Sequence, residues 1–225
     1  LVSMATFRLN GDKTQQATIV NSNKVSYKAR NIYHPFLGEK AVRNNFDIQN
    51  HEYYIITGAN MAGKSTFLRT LGVNYILAMN GLPVFSEEMC VSVFRLFTNM
   101  RTTDDLTHGI SYFNAELLRL KQLIASLDPN IPSLIILDEI LKGTNSLDKL
   151  NGSRLFLEYI SKRNVTGVIA THDLELSKLE DENPQRFHNY SFEIELGTNV
   201  TYTYKIGRGV AKNQNATFLL KQILA

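Results

Sequence analysis

Little in this chain is extreme, and what it lacks narrows its function first. Cysteine occurs once, at Cys90, which excludes an internal disulfide framework and is in keeping with a reducing compartment. No stretch reaches the roughly 18 consecutive apolar residues that a membrane-spanning helix needs. The first residues lack the architecture of a secretory leader, so a soluble, cytoplasmic protein without a membrane partner is expected. Charge of one sign is also missing. Lys and Arg number 24 against 21 Asp and Glu, a formal net charge of +3, too small to argue for nucleic-acid binding by itself. No basic stripe is concentrated anywhere, and neither an internal repeat nor a low-complexity segment interrupts the chain. What remains is 225 residues with an ordinary apolar fraction of 44%, enough for a full core and for one domain or one and a half.

Strand-like and helix-like segments alternate along it. Residues of about 8–30 read as short polar strands and turns, and Lys24–Lys28 reads as an exposed strand by its alternation. Pro35 breaks the chain before Gly38. Tyr53–Thr57 is a short β-prone run, and Phe67, Leu68, Leu71, Tyr75, Ile76 and Met79 then recur at helical spacing until Gly81 and Pro83. Val91–Met100 reads as a strand pair or a buried strand. Phe113, Leu117, Leu120, Ile124 and Leu127 make a helical stripe opposite Glu116, Arg119 and Lys121. Ser133–Leu137 and Val165–Ala170 read as buried strands, with a helix at about 151–162 between them. Arg186–Leu196 and Val200–Ile206 read as an antiparallel hairpin. The expected class is α/β, a mostly parallel sheet flanked by helices with an antiparallel β portion.

The densest chemistry lies between the β-prone run and the first helix. Gly58-Ala59-Asn60-Met61-Ala62-Gly63-Lys64-Ser65 fits the P-loop pattern G-x-x-x-x-G-K-[ST]. A strand entering a glycine loop and then a helix aims backbone N–H groups, and the helix's positive end, at one point. Lys64 can reach the outer phosphates of a nucleoside triphosphate, and the Ser65 hydroxyl can hold Mg²⁺. Residues Gly58 through Thr66 are therefore the expected nucleotide-binding set, with ATP and Mg²⁺ as the expected ligands.

Three later segments could complete such a site. The strand ending at Leu137 delivers Asp138 and Glu139, which would lie beside the phosphate loop in a parallel sheet. Asp138 is the candidate magnesium ligand and Glu139 the candidate base for an attacking water; the plainer account is two solvated acids at a strand end. His172 follows the next buried strand and could bond the γ-phosphate or the lytic water, or merely cap and pack. Ser111, just before the striped helix, is a natural N-cap. Because Lys64 and the loop already supply donors, its hydroxyl could instead serve a nucleotide bound to a second subunit.

At this point the chain resembles the ATPase domain of the MutS family of DNA mismatch-repair proteins, within the wider ABC class, over about residues 28–220. Thr57–Thr66 is similar to the family's T-G-P-N-M-G-G-K-S-T. Asp104-Asp105-Leu106 with Gly109, Ser111 and Phe113 is similar to D-D-L-x-x-G-x-S-T-F. Asp138-Glu139-Ile140 through Gly143-Thr144 and Asp148 is similar to D-E-I-G-R-G-T-S-x-x-D, Ala170-Thr171-His172 to A-T-H, and His34-Pro35 with Asn44 resembles an upstream H-P and N. The resemblance implies a composite ATPase site formed by two domains paired head to tail, hence a homodimer of the parent protein. Ser111 would reach the partner's nucleotide, Asp148 would lie in the loop crossing the interface, Asn60 would contact phosphate or the partner, and His172 would sense the γ-phosphate. Lys64, Glu139 and His172 would carry the hydrolysis.

The resemblance also implies that residues 1–27 hold the end of a preceding lever helix with a linker and short strands, and that 28–225 form the ATPase domain of a longer protein whose missing upstream parts hold DNA. Departures from the pattern mark a divergent branch: Ala59 and Ala62 in the phosphate loop, Tyr112 after the serine, and Lys142, Asn145 and Lys149 after the acids. The adenine-stacking residue is left open among Val42, Phe46 and Tyr33. Two rival functions also stand. One is an ABC-type transporter or chromosome-maintenance ATPase, disfavoured by the lack of an L-S-G-G-Q-like segment. The other is a nucleotide-gated interaction module with negligible turnover.

Overall fold

A computed structural model describes residues 14–100, 112–141, 145–196 and 200–212. Within them lie β1 (Thr18–Val20), β2 (Ser26–Ile32), β3 (Asn44–Gln49), β4 (Tyr53–Gly58), β5 (Glu88–Ser92), β6 (Arg95–Asn99), β7 (Ser133–Asp138), β8 (Val165–Ala170), β9 (Phe187–Leu196) and β10 (Val200–Arg208). The three longer helices are α1 (Lys64–Met79), α2 (Tyr112–Ser126) and α3 (Ser146–Ser161), and a 3₁₀ segment covers Pro35–Lys40.

The larger sheet has six strands in the order β10-β9-β4-β8-β7-β6. β9, β4, β8, β7 and β6 run parallel to their neighbours, and β10 closes one edge as the antiparallel arm of a hairpin with β9. A strand buried on both faces needs apolar residues at every position, and β4, β7 and β8 are buried from end to end. Alternate side chains then serve opposite cores. Tyr54 and Ile56 of β4 join Leu134, Ile136 and Val168 beneath Phe67, Leu68 and Leu71 of α1. Tyr53 and Ile55 join Ile135, Leu137 and Ile169 beneath α2 and α3, through Leu120, Leu123, Leu157 and Ile160.

The smaller sheet has the order β1-β5-β2-β3 and corrects the expectation of an exposed strand at Lys24–Lys28. Val25, Tyr27 and Ala29 are buried, because β2 is an inner strand whose apolar face packs on α1. The Tyr27 hydroxyl donates to Leu71 O in that helix, at 3.0 Å. Thr18–Val20 pairs with β5 in the same sheet; residues 1–13, with the expected lever-helix end, lie outside the described residues. Val91–Met100 divides differently from a strand pair: β5 belongs to the small sheet and β6 to the edge of the large one.

Two helices also differ from expectation. On α2, Glu116 is buried at 4% exposure while Leu117 is 41% exposed. The inward stripe thus runs through Glu116, Leu120 and Leu123, because a backbone N–H supplies the glutamate's partner. α3 starts at Ser146, ahead of the expected 151, because Asn145 caps it by accepting from Asp148 N–H at 2.9 Å.

Asn74 joins the two sheets' layers. Fully buried on α1, it donates to Tyr33 O (3.2 Å) and Thr70 O (2.9 Å) and accepts from Phe85 N–H (2.7 Å). Truncation strands a buried N–H and a buried carbonyl, each costing about 1–3 kcal/mol. Asn74→Ala is expected to lower unfolding stability by about 3 kcal/mol in urea titration; a loss below about 1 kcal/mol would mean that neither group is truly desolvated.

Candidate functional site

The site is assembled by strand register. Asp138 of β7 is paired with Ala170 of β8, and Ala170 with Ile56 of β4. Just past these pairs, Glu139 N–H donates to Ala170 O and Thr171 N–H donates to Ile56 O, each at 2.9 Å. The loops after all three strands therefore leave the sheet at one level, at its carboxyl edge, where open parallel sheets place their ligands.

The glycine loop begins at Gly58, where φ is 150° and a Cβ would stand 2.8 Å from Phe192 O, so only glycine fits against β9. Gly63, with φ at 109°, is the N-cap of α1 and carries no capping side chain. The helix's first N–H groups and positive end are left facing the cavity. Ala59 and Ala62 are buried, whereas Met61 stands 78% exposed with φ at 65°.

A pocket of about 480 Å³ opens over this edge, lined by Asn60, Met61, Gly63, Lys64, Ser65, Thr66, Asp138, Glu139 and His172. Of the expected loop residues, Asn60, Met61, Gly63, Lys64, Ser65 and Thr66 line it together with both acids and the histidine, whereas Gly58, Ala59 and Ala62 are not in its wall. Lys64, 6% exposed, donates from Nζ to Gly58 O (2.6 Å) and Ala59 O (2.9 Å) and lies 3.4 Å from His172 Nδ1. His172 Nε2 lies 3.2 Å from Glu139 Oε1. Burial, then the Lys64 charge, push the His172 pKa below its ordinary value, against the upward pull of Glu139. A neutral imidazole suits the line: Nδ1 can accept from the ammonium while Nε2–H donates to the carboxylate.

Asp138 is 5% exposed, and its Oδ2 is buried without a hydrogen-bond partner among the described residues. A buried carboxyl oxygen in that state wants a cation or donor. Among the described residues no three His, Cys, Asp or Glu side chains converge as a ready-made metal cage.

Other expected residues are placed elsewhere. Ser111 lies outside the described residues. Asp148 is exposed in the first turn of α3, where it accepts from Asn145 Nδ2 at 2.6 Å; it does not line the pocket. Phe46 is corrected as a base-stacking candidate, because its ring is in the core against Phe67 and Tyr190, both at 5.1 Å. Val42 and Tyr33 do line the pocket.

Tyr204 and Leu37, also in the wall, were missed from sequence. Tyr204 reaches it through a register shift in β10 between Tyr202 and Ile206. Its φ is 53°, and Asn44 holds the irregularity by donating to Tyr204 O (3.1 Å) and accepting from Ile206 N–H (3.0 Å). The only sequence signal was two tyrosines on one strand.

Register, glycine loop and converging charges define an α/β domain with an anion-receptive pocket at the carboxyl edge of its parallel strands. Residues 54–219 match the family model for MutS domain V, and the chain belongs to the MutS family. It is 36% identical over 172 residues to the DNA mismatch repair protein MutS of Thermotoga sp. (strain RQ2), covering 76% of this chain and 21% of that protein. The protein of the same name from Caldicellulosiruptor bescii is 33% identical over 192 residues, 80% of this chain and 22% of the relative. That from Persephonella marina is 32% identical over 197 residues, 84% and 22%. The chain therefore spans about a fifth of the length of these relatives. Among the described residues no helix is long and apolar enough to cross a membrane.

The lowered His172 pKa fixes a sign. A histidine whose folded pKa lies below its unfolded value contributes stability that is present above the unfolded value, near 6.5, and lost as pH falls through the folded one. Urea midpoints at pH 7.5 and 5.0 should therefore fall further in the wild type than in His172→Gln. Equal losses would remove the depressed histidine from the account.

Proposed function

We propose that this chain binds MgATP at the glycine-loop pocket and hydrolyses it to ADP and phosphate, as the nucleotide-driven part of a longer MutS-family protein. The observation that carries this reading is the meeting of Lys64, Asp138, Glu139 and His172 around one pocket above the N-terminus of α1. Loop amides and the open helix end would receive the phosphates, and the ammonium of Lys64 would balance charge gathering on the γ-phosphoryl oxygens. Glu139 would orient a water in line with the γ-phosphorus and take its proton as the new P–O bond forms and the bond to the ADP oxygen breaks. Neutral His172, 3.2 Å from Glu139, would orient that carboxylate through Nε2–H and would sense the γ-phosphate through Lys64, which lies 3.4 Å from its Nδ1. Ser65 and the unpaired Oδ2 of Asp138 fit a magnesium ion, which when bound supplies charge neutralisation at the phosphate oxygens.

In the parent protein two such domains would pair, with Ser111 and Asp148 reaching the partner's nucleotide; the exposure of Asp148 is compatible with that. Residues 28–225 would be the ATPase unit and 1–27 the join to a preceding lever helix. Hydrolysis would drive movements of a DNA-holding clamp formed by regions outside this chain, in mismatch repair or related DNA handling in the cytoplasm.

Phosphate release from MgATP is expected to rise more than linearly with protein concentration, as a paired site requires; a flat specific activity would favour an inert nucleotide-gated module. Glu139→Gln should keep ATP binding within about threefold while turnover falls by about 10²-fold or more. Lys64→Ala should lose binding itself, read by titration calorimetry. Unchanged turnover in Glu139→Gln would remove Glu139 from the role of base.

A further inference from the structure

Glu139 sits in an unusual piece of backbone. Both it and Leu141 have left-handed φ values, 62° and 57°, so the turn leaving β7 is strained at two non-glycine positions within three residues. Such geometry persists only where the surroundings hold it. One restraint is the bond from Glu139 N–H to Ala170 O. The next comes from a different element: Glu116 on α2 accepts from Leu141 N–H through Oε1 at 2.7 Å, in a buried setting. A third holds the Leu141 side chain. It is buried against Gly152 of α3, where an added Cβ would collide with Leu141 Cδ1. The turn is therefore gripped by its main chain from α2 and by its side chain from α3.

Burying a carboxylate is costly, and among what Glu116 holds is the Leu141 amide, beneath which lies a largely apolar cluster. What the arrangement achieves is to fix the exit direction of the chain two residues after Glu139. We propose that Glu116 is a positioning residue for the hydrolytic reaction. With the Leu141–Gly152 contact, it clamps the turn so that the Glu139 carboxylate points into the pocket beside His172. The inference rests on the ATPase reading given above. It assigns Glu116 no contact with nucleotide or water; its effect passes through main-chain geometry, where a misplacement on the order of 1 Å can cost about 10²-fold in rate.

The test uses the 225-residue chain with MgATP as the probe, measuring kcat and KM by phosphate release and ADP affinity by calorimetry. Glu116→Ala should lower kcat by at least about 10-fold with ADP affinity within about twofold of the wild type. Glu116→Gln, whose amide oxygen can still accept from Leu141 N–H, should restore kcat to within about threefold. Gly152→Ala keeps the helix, since alanine is the better helix former, but pushes Leu141 from the other side. It should reproduce the kcat loss without touching Glu116. Wild-type kcat in Glu116→Ala or in Gly152→Ala overturns the proposal, as does a Glu116→Gln variant as slow as Glu116→Ala. Parallel losses of kcat and ADP affinity would mark a purely structural role and overturn it equally. A wild-type chain with no MgATP turnover at any concentration would instead sink the ATPase reading, and this proposal with it.

Discussion

Two backbone hydrogen bonds, Thr171 N–H to Ile56 O and Glu139 N–H to Ala170 O, both at 2.9 Å, hold three strand exits at one level. Everything in the pocket floor follows from that alignment. Lys64 leaves from the loop after β4, the two acids from the end of β7, and His172 from the end of β8, so four side chains far apart in sequence reach one another without long loops. The alignment in turn depends on strands that are buried on both faces, since a one-residue slip in β7 or β8 would trade the side chains of one core for those of the other.

The same low-dielectric setting that makes the floor rigid makes its charges interdependent. Lys64 lies close to His172, and protonating the imidazole would set two cations about a hydrogen bond apart. At 4 Å such a pair costs on the order of 4 kcal/mol at an effective dielectric of about 20. Burial first, and this repulsion second, hold the His172 pKa below its ordinary value, and solvent at the partly exposed ring weakens the repulsion. The neutral ring then relays orientation between an ammonium and a carboxylate and adds no charge of its own.

Much of this floor was legible in sequence because its chemistry is local. β4, β7 and β8 are largely apolar runs, and a candidate site residue lies at the end of each or a few residues beyond it, so the strand and its cargo are read together. The parts that were not legible depend on partners distant in sequence. Glu116 looked solvent-facing because its partner, Leu141 N–H, lies 25 residues away. Lys24–Lys28 looked exposed because the helix that covers Tyr27, α1, meets it through Leu71, 44 residues on. Phe46 looked available to a base, but the Phe67 and Tyr190 rings that bury it come from α1 and β9. Tyr204 enters the wall only because Asn44, 160 residues earlier, holds an irregularity in β10.

These contrasts divide the pocket into two kinds of construction. Its floor is set by main-chain register in the large sheet, and most side-chain changes leave register untouched. Its far wall is set by side chains linking separate layers. Asn44 bridges β3 to Tyr204 and Ile206, Lys205 Nζ donates to Arg43 O, and Arg43 stacks on the Tyr33 ring. A substitution at one of those contacts can reshape the wall while the floor stays intact. The glycine-loop half of the pocket is therefore the part that tolerates change around it, and the half walled by Tyr204 and Tyr33 is where its shape has room to vary. The alanines of the glycine loop fit this division: Ala59 and Ala62 are small, buried residues, and they leave the backbone course from Gly58 to Lys64 to be set by the glycines and the strand.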